Sequence, residues 1–210
     1  MSGWEAQIPV VMAITVLAVI SPGPDFAMTL RNSLVYGRRA GLATSVGIAA
    51  GVSIHIVYSI LGFSLVLAEA VWLLEVIRYL GAAYLIWLGI QPFRNRQVAL
   101  KTTEENAVED KALSVTHAFK SGFLCNALNP KTTMFFVALF SQIVHPETPF
   151  IGQLSFGVFI AIAHFIWFGF VAVVLTHRSL KAMFERFRGK IEKGIGLCLL
   201  GLGVRLSLVN

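Results

Sequence analysis

Charged residues divide this chain into long apolar runs. No Asp, Glu, Lys or Arg occurs from Ala6 to Pro24, from Ala40 to Ala68 or from Thr148 to His177. Each run reaches the roughly 20 residues that a helix needs to cross a bilayer core. Three further runs are interrupted only lightly. Val71 to Phe93 carries Glu75 and Arg78 near its start, Phe119 to Val144 carries Lys120 and Lys131, and Ile191 to Val209 carries Glu192, Lys193 and Arg205 near its ends. Long basic side chains at a membrane boundary snorkel to the headgroups, so only Lys131 conflicts with a spanning role. The pattern predicts an all-α integral membrane protein with six transmembrane helices, beginning near residues 4, 41, 71, 119, 149 and 191.

Two of the six runs contain residues that an unbroken helix cannot absorb. The first holds Ser21, Pro22, Gly23, Pro24 and Asp25 in succession; the fourth holds Asn129, Pro130 and Lys131. Proline removes a backbone donor and clashes with the preceding turn. Backbone groups freed at membrane depth must face protein or a wet cavity, because lipid offers them no partner. Helices 1 and 4 are therefore expected to be broken at these proline motifs, with polar backbone turned toward a buried path.

The two breaks occupy matching places. Aligning Pro22 with Pro130 puts Gly23 on Lys131; nearly the same shift puts His55 on His164 and Tyr58 on Trp167, and a slightly larger one puts Gly89 on Gly203. Each set has three spans, an odd number, so the second set enters from the opposite side. The expected organisation is an inverted repeat: residues 1–93 form the first three-helix repeat, 94–117 a cytoplasmic linker and 118–210 the second repeat, within one membrane domain. Matching breaks in two such halves are the strongest sequence pointer to a transporter's binding site.

Composition agrees: 56% of residues are hydrophobic and 13% charged, against about a quarter charged in soluble domains. The net charge of +6 sits between the spans, which argues against a nucleic-acid partner. Arg31, Arg38 and Arg39 fall in the first loop, Arg94, Arg96, Lys101 and Lys111 in the third, and Arg178, Lys181, Arg186, Arg188 and Lys190 in the fifth; the second and fourth loops have no Lys or Arg. The positive-inside rule then places loops one, three and five in the cytoplasm, with both termini outside. The first run lacks the basic start of a signal peptide, and Ser21-Pro22 is a poor cleavage site, so it reads as a retained helix. Residues 102–111 read as a solvated linker. Leu180, Met183, Phe184, Phe187 and Ile191 recur at helical spacing among basic residues, as in a helix lying on the anionic leaflet.

The candidate chemistry gathers at the breaks. Asp25 opens a second half-helix, whose N-terminus favours an anion. Capping needs no charge at that depth, whereas an intramembrane carboxylate can bind an ammonium group or carry a coupling proton. Lys131 can pair with Asp25 or hold a substrate carboxylate, and Asn126 and Asn129 add neutral donors and acceptors. His55 and His164, mid-span at equivalent positions, are candidates for a proton relay; His117, His145 and His177 lie at loop ends. Gly37, Gly41, Gly47 and Gly51 permit close helix approach, and small-residue faces allow a homo-oligomer without requiring one. No hydrolytic triad, nucleotide loop, metal-site spacing or cofactor motif is present, so an enzyme is not expected. Cys125 and Cys198 read as packing residues; they do not occupy matching places in the two halves, which counts against an intramembrane thiol-redox relay.

The stretch "SPGPDFAMTLRNSLVYGRRAGLATSVGIAAG", the later "NALNPKTTMFF" and the six-span length together resemble the LysE/RhtB family of bacterial amino-acid exporters, over essentially the whole chain. The resemblance implies efflux of amino acids or close derivatives, of the threonine, homoserine, homoserine-lactone, leucine-like or basic kind, driven by the proton gradient. It carries functional weight to Ser21, Pro22, Gly23, Pro24, Asp25, Asn129, Pro130 and Lys131. The implied partners are an amino-acid substrate, protons and membrane lipid, with no cofactor. The expected mechanism is secondary active export by proton antiport with alternating access; a passive channel is the alternative, since broken helices also line pores.

Overall fold

The computed structural model describes residues 4–69, 71–94, 113–144 and 147–174, together with 189–190, 193–194, 196–201, 203–205 and 207–208. Most of the linker, His145, His177 and the basic amphipathic stretch of the fifth loop lie outside the described residues. Those described are helical apart from short turns, with no strand among them.

A short 3₁₀ turn, Trp4–Gln7, leads into α1 (Ile8–Ile20), and after the Ser21-Pro22-Gly23 interruption the chain resumes as α2 (Pro24–Glu69). Next come α3 (Val71–Arg94), α4 (Val115–Ala127), α5 (Pro130–Gln142) and α6 (Phe150–Val174). The last apolar stretch, Gly196–Arg205, is helical where described. With 13 residues each, α1, α4 and α5 are about 20 Å long at 1.5 Å per residue. That falls short of the roughly 30 Å of a bilayer core. Alone, none of the three is long enough to cross; α1 is followed by the start of α2, and α4 by α5, across the two proline breaks. Both resumptions start on proline, which tolerates a first helical position because that N–H has no partner anyway.

The first loop is smaller than its three arginines imply. Arg31 is helical, and the only non-helical residue between Pro24 and Glu69 is Gly37, at φ 84° and ψ 172°. That conformation is essentially restricted to glycine, and it turns the chain within one residue. Across this bend Asn32 donates to Thr44 Oγ1 at 2.9 Å and to Ser121 Oγ of α4 at 3.2 Å.

The long second limb of α2 packs closely on α4. A methyl group added at Gly47 would collide with the Phe119 carbonyl, one at Gly122 with the Thr44 carbonyl, and one at Gly51 would lie 2.8 Å from the Phe123 carbonyl. Small residues thus bring two backbones together, as in many membrane interfaces. α3 lies against α5, where Leu85 and Ala138 bury each other together with Leu199. Two larger apolar clusters flank the centre. One includes Val11, Ile14, Val52, Phe136, Leu139 and Ile160; the other includes Val19, Phe26, Leu30, Ile48 and Phe168. The proline breaks lie between them.

Candidate functional site

Pro130 lacks an N–H, so the carbonyl four residues back, at Asn126, loses its helical donor. Asn129 N takes up that carbonyl at 2.8 Å and His55 Nε2 at 2.9 Å. The Asn129 side chain then caps α5, accepting from Lys131 N at 3.0 Å, a side-chain cap of the usual polar kind. These local repairs fix the amides of Asn126 and Asn129, and both turn toward the other break. Asn126 Nδ2 and Asn129 Nδ2 each donate to Asp25 Oδ2 at 2.9 Å. Asn126 Nδ2 also reaches Thr132 Oγ1 at 3.3 Å.

The second break also holds the first through its lysine. Lys131 Nζ donates to the Ser21 carbonyl, the last of the first half-helix, and the Lys131 carbonyl accepts from Tyr84 of α3 at 3.2 Å. Among the described residues no salt bridge joins Lys131 to Asp25; each charge is met by groups of the opposite break. Gly23 explains its own presence here. A Cβ at that position would lie 3.1 Å from Lys131 Cδ and 3.4 Å from Nζ, so the lysine stem occupies the space a side chain would need.

Burial makes these contacts consequential. Asp25 is 5% exposed, Asn129 2% and Asn126 0%. Asp25 Oδ1 and Asn126 Oδ1 are buried without a partner, an expensive condition in a low-dielectric interior. The adjoining cavity is lined by Ser21, Asp25, Asn129, Lys131, Thr132 and His164 on its polar side and by Ala18, Val19, Phe26, Phe135 and Phe168 on its apolar side. Its volume of about 20 Å³ is enough for a single water molecule. An amino acid needs several times that volume.

Ser21, Gly23, Asp25, Asn129 and Lys131 therefore line one cavity, Asn126 reaches it through Asp25, and Pro22, Pro24 and Pro130 form the breaks themselves. The two mid-span histidines differ. His164 lines the cavity, with Nδ1 on the Ile160 carbonyl at 2.8 Å. His55 does not; its two ring nitrogens are taken by Tyr58 Oη at 2.7 Å and by the Asn126 carbonyl, and its ring stacks on Phe136. Thr132 and the five apolar lining residues carry no distinguishing mark in sequence. Among the described residues no group of three His, Cys, Asp or Glu side chains could hold a metal ion, and Cys125 and Cys198 are both free.

Comparison with known proteins yields a consistent set of likenesses. Residues 16–209 match the family described as LysE type translocator. The chain is 31% identical over 200 residues to the uncharacterized membrane protein YrhP of Bacillus subtilis, covering 93% of this chain and 95% of that protein. It is 27% identical over 206 residues to the threonine efflux protein of Salmonella typhi, covering 94% and 96%. To the homoserine/homoserine lactone efflux protein of Salmonella typhimurium it is 33% identical over 141 residues, covering 65% and 64%. No solved structure matches the chain.

Proposed function

The chain belongs to the LysE type translocator family, and from that premise we propose that it is a secondary active exporter of amino acids or close derivatives, of the threonine and homoserine type, working by proton antiport with alternating access. In this reading six spans form two inverted three-helix halves, residues 1–93 and 118–210 joined by the linker 94–117, in a bacterial cytoplasmic membrane with both termini outside. Relatives named as threonine and as homoserine/homoserine lactone efflux proteins support the substrate class. The observation that carries the proposal is the exchange between the breaks: Asp25 of the first is held by Asn126 and Asn129 beside the second, and Lys131 of the second holds the Ser21 carbonyl of the first.

A zwitterion can take over both sets of contacts. Its ammonium group offers Asp25 a charged donor, and its carboxylate offers Lys131 a stronger partner than a neutral carbonyl. The contacts that close the empty site are then replaced rather than lost, so the halves can part around bound substrate without leaving bare charges in hydrocarbon. With room for one water in the closed state, entry and exit require that parting. His164 stands at the cavity wall with a ring nitrogen available, which suits it to pass a proton to or from Asp25. His55, with both nitrogens engaged, is suited instead to hold the second break in place.

Counterflow in proteoliposomes with a panel of labelled amino acids tests the proposal. Purified protein preloaded with unlabelled threonine or homoserine should transiently accumulate the labelled compound above its equilibrium level. Simple equilibration of every small solute, with no transient excess, would mark a passive channel and reject the exporter.

A further inference from the structure

The two histidines at equivalent places in the halves are bonded differently, and the difference has a direction. Aligning the breaks on Pro22 and Pro130 places Ala18 opposite Asn126. Each of these residues has its carbonyl freed by the proline four positions on. At the second break His55 closes that carbonyl together with Asn129 N, and it is the one donor that comes from another helix: a carbonyl only accepts, so the His55 proton sits on Nε2, and Nδ1 accepts from Tyr58. At the first break the corresponding bond is open. Among the described residues no turn or cap amide donates to the Ala18 carbonyl, the nearest one, of Ser21, going to the Leu17 carbonyl instead at 3.2 Å. His164, which lines the cavity together with Ala18, has its Nδ1 on the Ile160 carbonyl of its own helix.

We propose that His55 and His164 are a reciprocal pair of latches, each closing the proline-freed carbonyl of the broken helix it faces, Asn126 for His55 and Ala18 for His164, and that the protein alternates between one latch closed and the other. The structure holds the His55 latch closed and the His164 latch open. Closing the second moves the His164 donor from the Ile160 carbonyl, which keeps its helical bond within α6, to the Ala18 carbonyl, which has lost its own to Pro22, so the exchange satisfies one more acceptor. Opening the first releases the end of α4, and with it the Asn126 amide that holds Asp25. The latches are positioning residues: neither needs to touch the transported molecule. This inference rests on the alternating-access reading above and adds to it which groups mark the two states.

Cys125 gives a native reporter. It lies on α4 next to Asn126, is half-buried, and becomes more accessible when the end of α4 is released. In a Cys198→Ser background reconstituted into vesicles, with no amino acid added, alkylation of Cys125 by a membrane-permeant maleimide reads the released fraction. His55→Ala should raise the rate roughly fivefold, the factor expected from losing one hydrogen bond. His55→Gln, whose amide can donate to the same carbonyl, should restore a rate close to that of the parent. His164→Ala removes the latch of the opposite state and should lower the rate by a similar factor. Acceleration by both alanine substitutions, no change with either, or failure of His55→Gln to restore the parent rate would overturn the proposal. Should His55→Ala not fold, His55→Gln and His164→Ala still decide it, since the rates must remain near the parent and fall, respectively. No substrate enters this readout, so failure of the exporter reading in counterflow and failure of the latch are separate outcomes.

Discussion

Gly23 offers a direct way to weigh the contact between the breaks. Its φ lies outside the left-handed region that only glycine favours, because Gly37 is the only glycine with positive φ among the described residues. A side chain at position 23 is therefore opposed by space alone, and the occupant of that space is Lys131, with Cδ at 3.1 Å and Nζ at 3.4 Å from a built Cβ. One methyl requires the lysine stem to yield by a few tenths of an ångström. The branched side chain of Gly23→Val requires it to leave, and the bond from Lys131 Nζ to the Ser21 carbonyl goes with it. A hydrogen bond from a charged group is worth about 1.5–3 kcal/mol. A loss of about 2 kcal/mol should lower the unfolding midpoint by roughly 4–8 °C in a protein of this size. The assay is a double-mutant cycle on purified protein, followed by tryptophan fluorescence during heating. In a Lys131→Ala background the same valine should be neutral to within about 0.5 kcal/mol, because the space is already vacated. An equal cost in both backgrounds would refute the reasoning, since the clash would then not involve Lys131.

Two further substitutions probe the frame that holds the site. Gly122→Ala places a methyl against the Thr44 carbonyl and should cost about 1–3 kcal/mol, the usual range for overpacking; an unchanged melting temperature would mean that α2 and α4 are not in backbone contact. Gly37→Ala meets nothing within 4 Å, so its expected cost of about 1–3 kcal/mol is conformational, and Gly37→Asn, whose tolerance of positive φ belongs to the left-handed helical region and not to ψ 172°, should cost as much as Gly37→Ala when both are compared by the same melt.

Much of this arrangement is legible in the sequence, for a definite reason. Proline and charge are so costly inside an apolar helix that Pro22, Pro24, Asp25, Pro130 and Lys131 announce themselves. Asn126 and Asn129 follow from their place beside the second break. What escaped the sequence depends on contacts between distant segments. Thr132, Phe26, Phe135 and Phe168 line the cavity, yet threonine and phenylalanine are ordinary residues in membrane helices, where a hydroxyl can bond its own turn. Asn32 could have been noticed as an amide seven residues after Asp25, on the same helical face; its partners Thr44 and Ser121 could not. The first loop is shorter than three arginines suggest, because one glycine, Gly37, suffices to turn the chain. The histidine pair shows the limit most clearly. Matching positions in the expected repeat hide unequal bonding, because Nδ1 and Nε2 are distinguished only by their neighbours.

The central claim is that the two proline breaks form a single polar site that moves an amino acid, with Asp25 at its centre. Asp25→Asn measures it most directly, because the amide keeps the shape and an acceptor for the Asn126 and Asn129 side chains while removing the charge. In proteoliposomes with an imposed proton gradient, the parent protein should concentrate labelled threonine or homoserine against its own gradient. The variant, inserted at the same level, should lose that uphill transport. Undiminished uphill transport by Asp25→Asn would contradict the account.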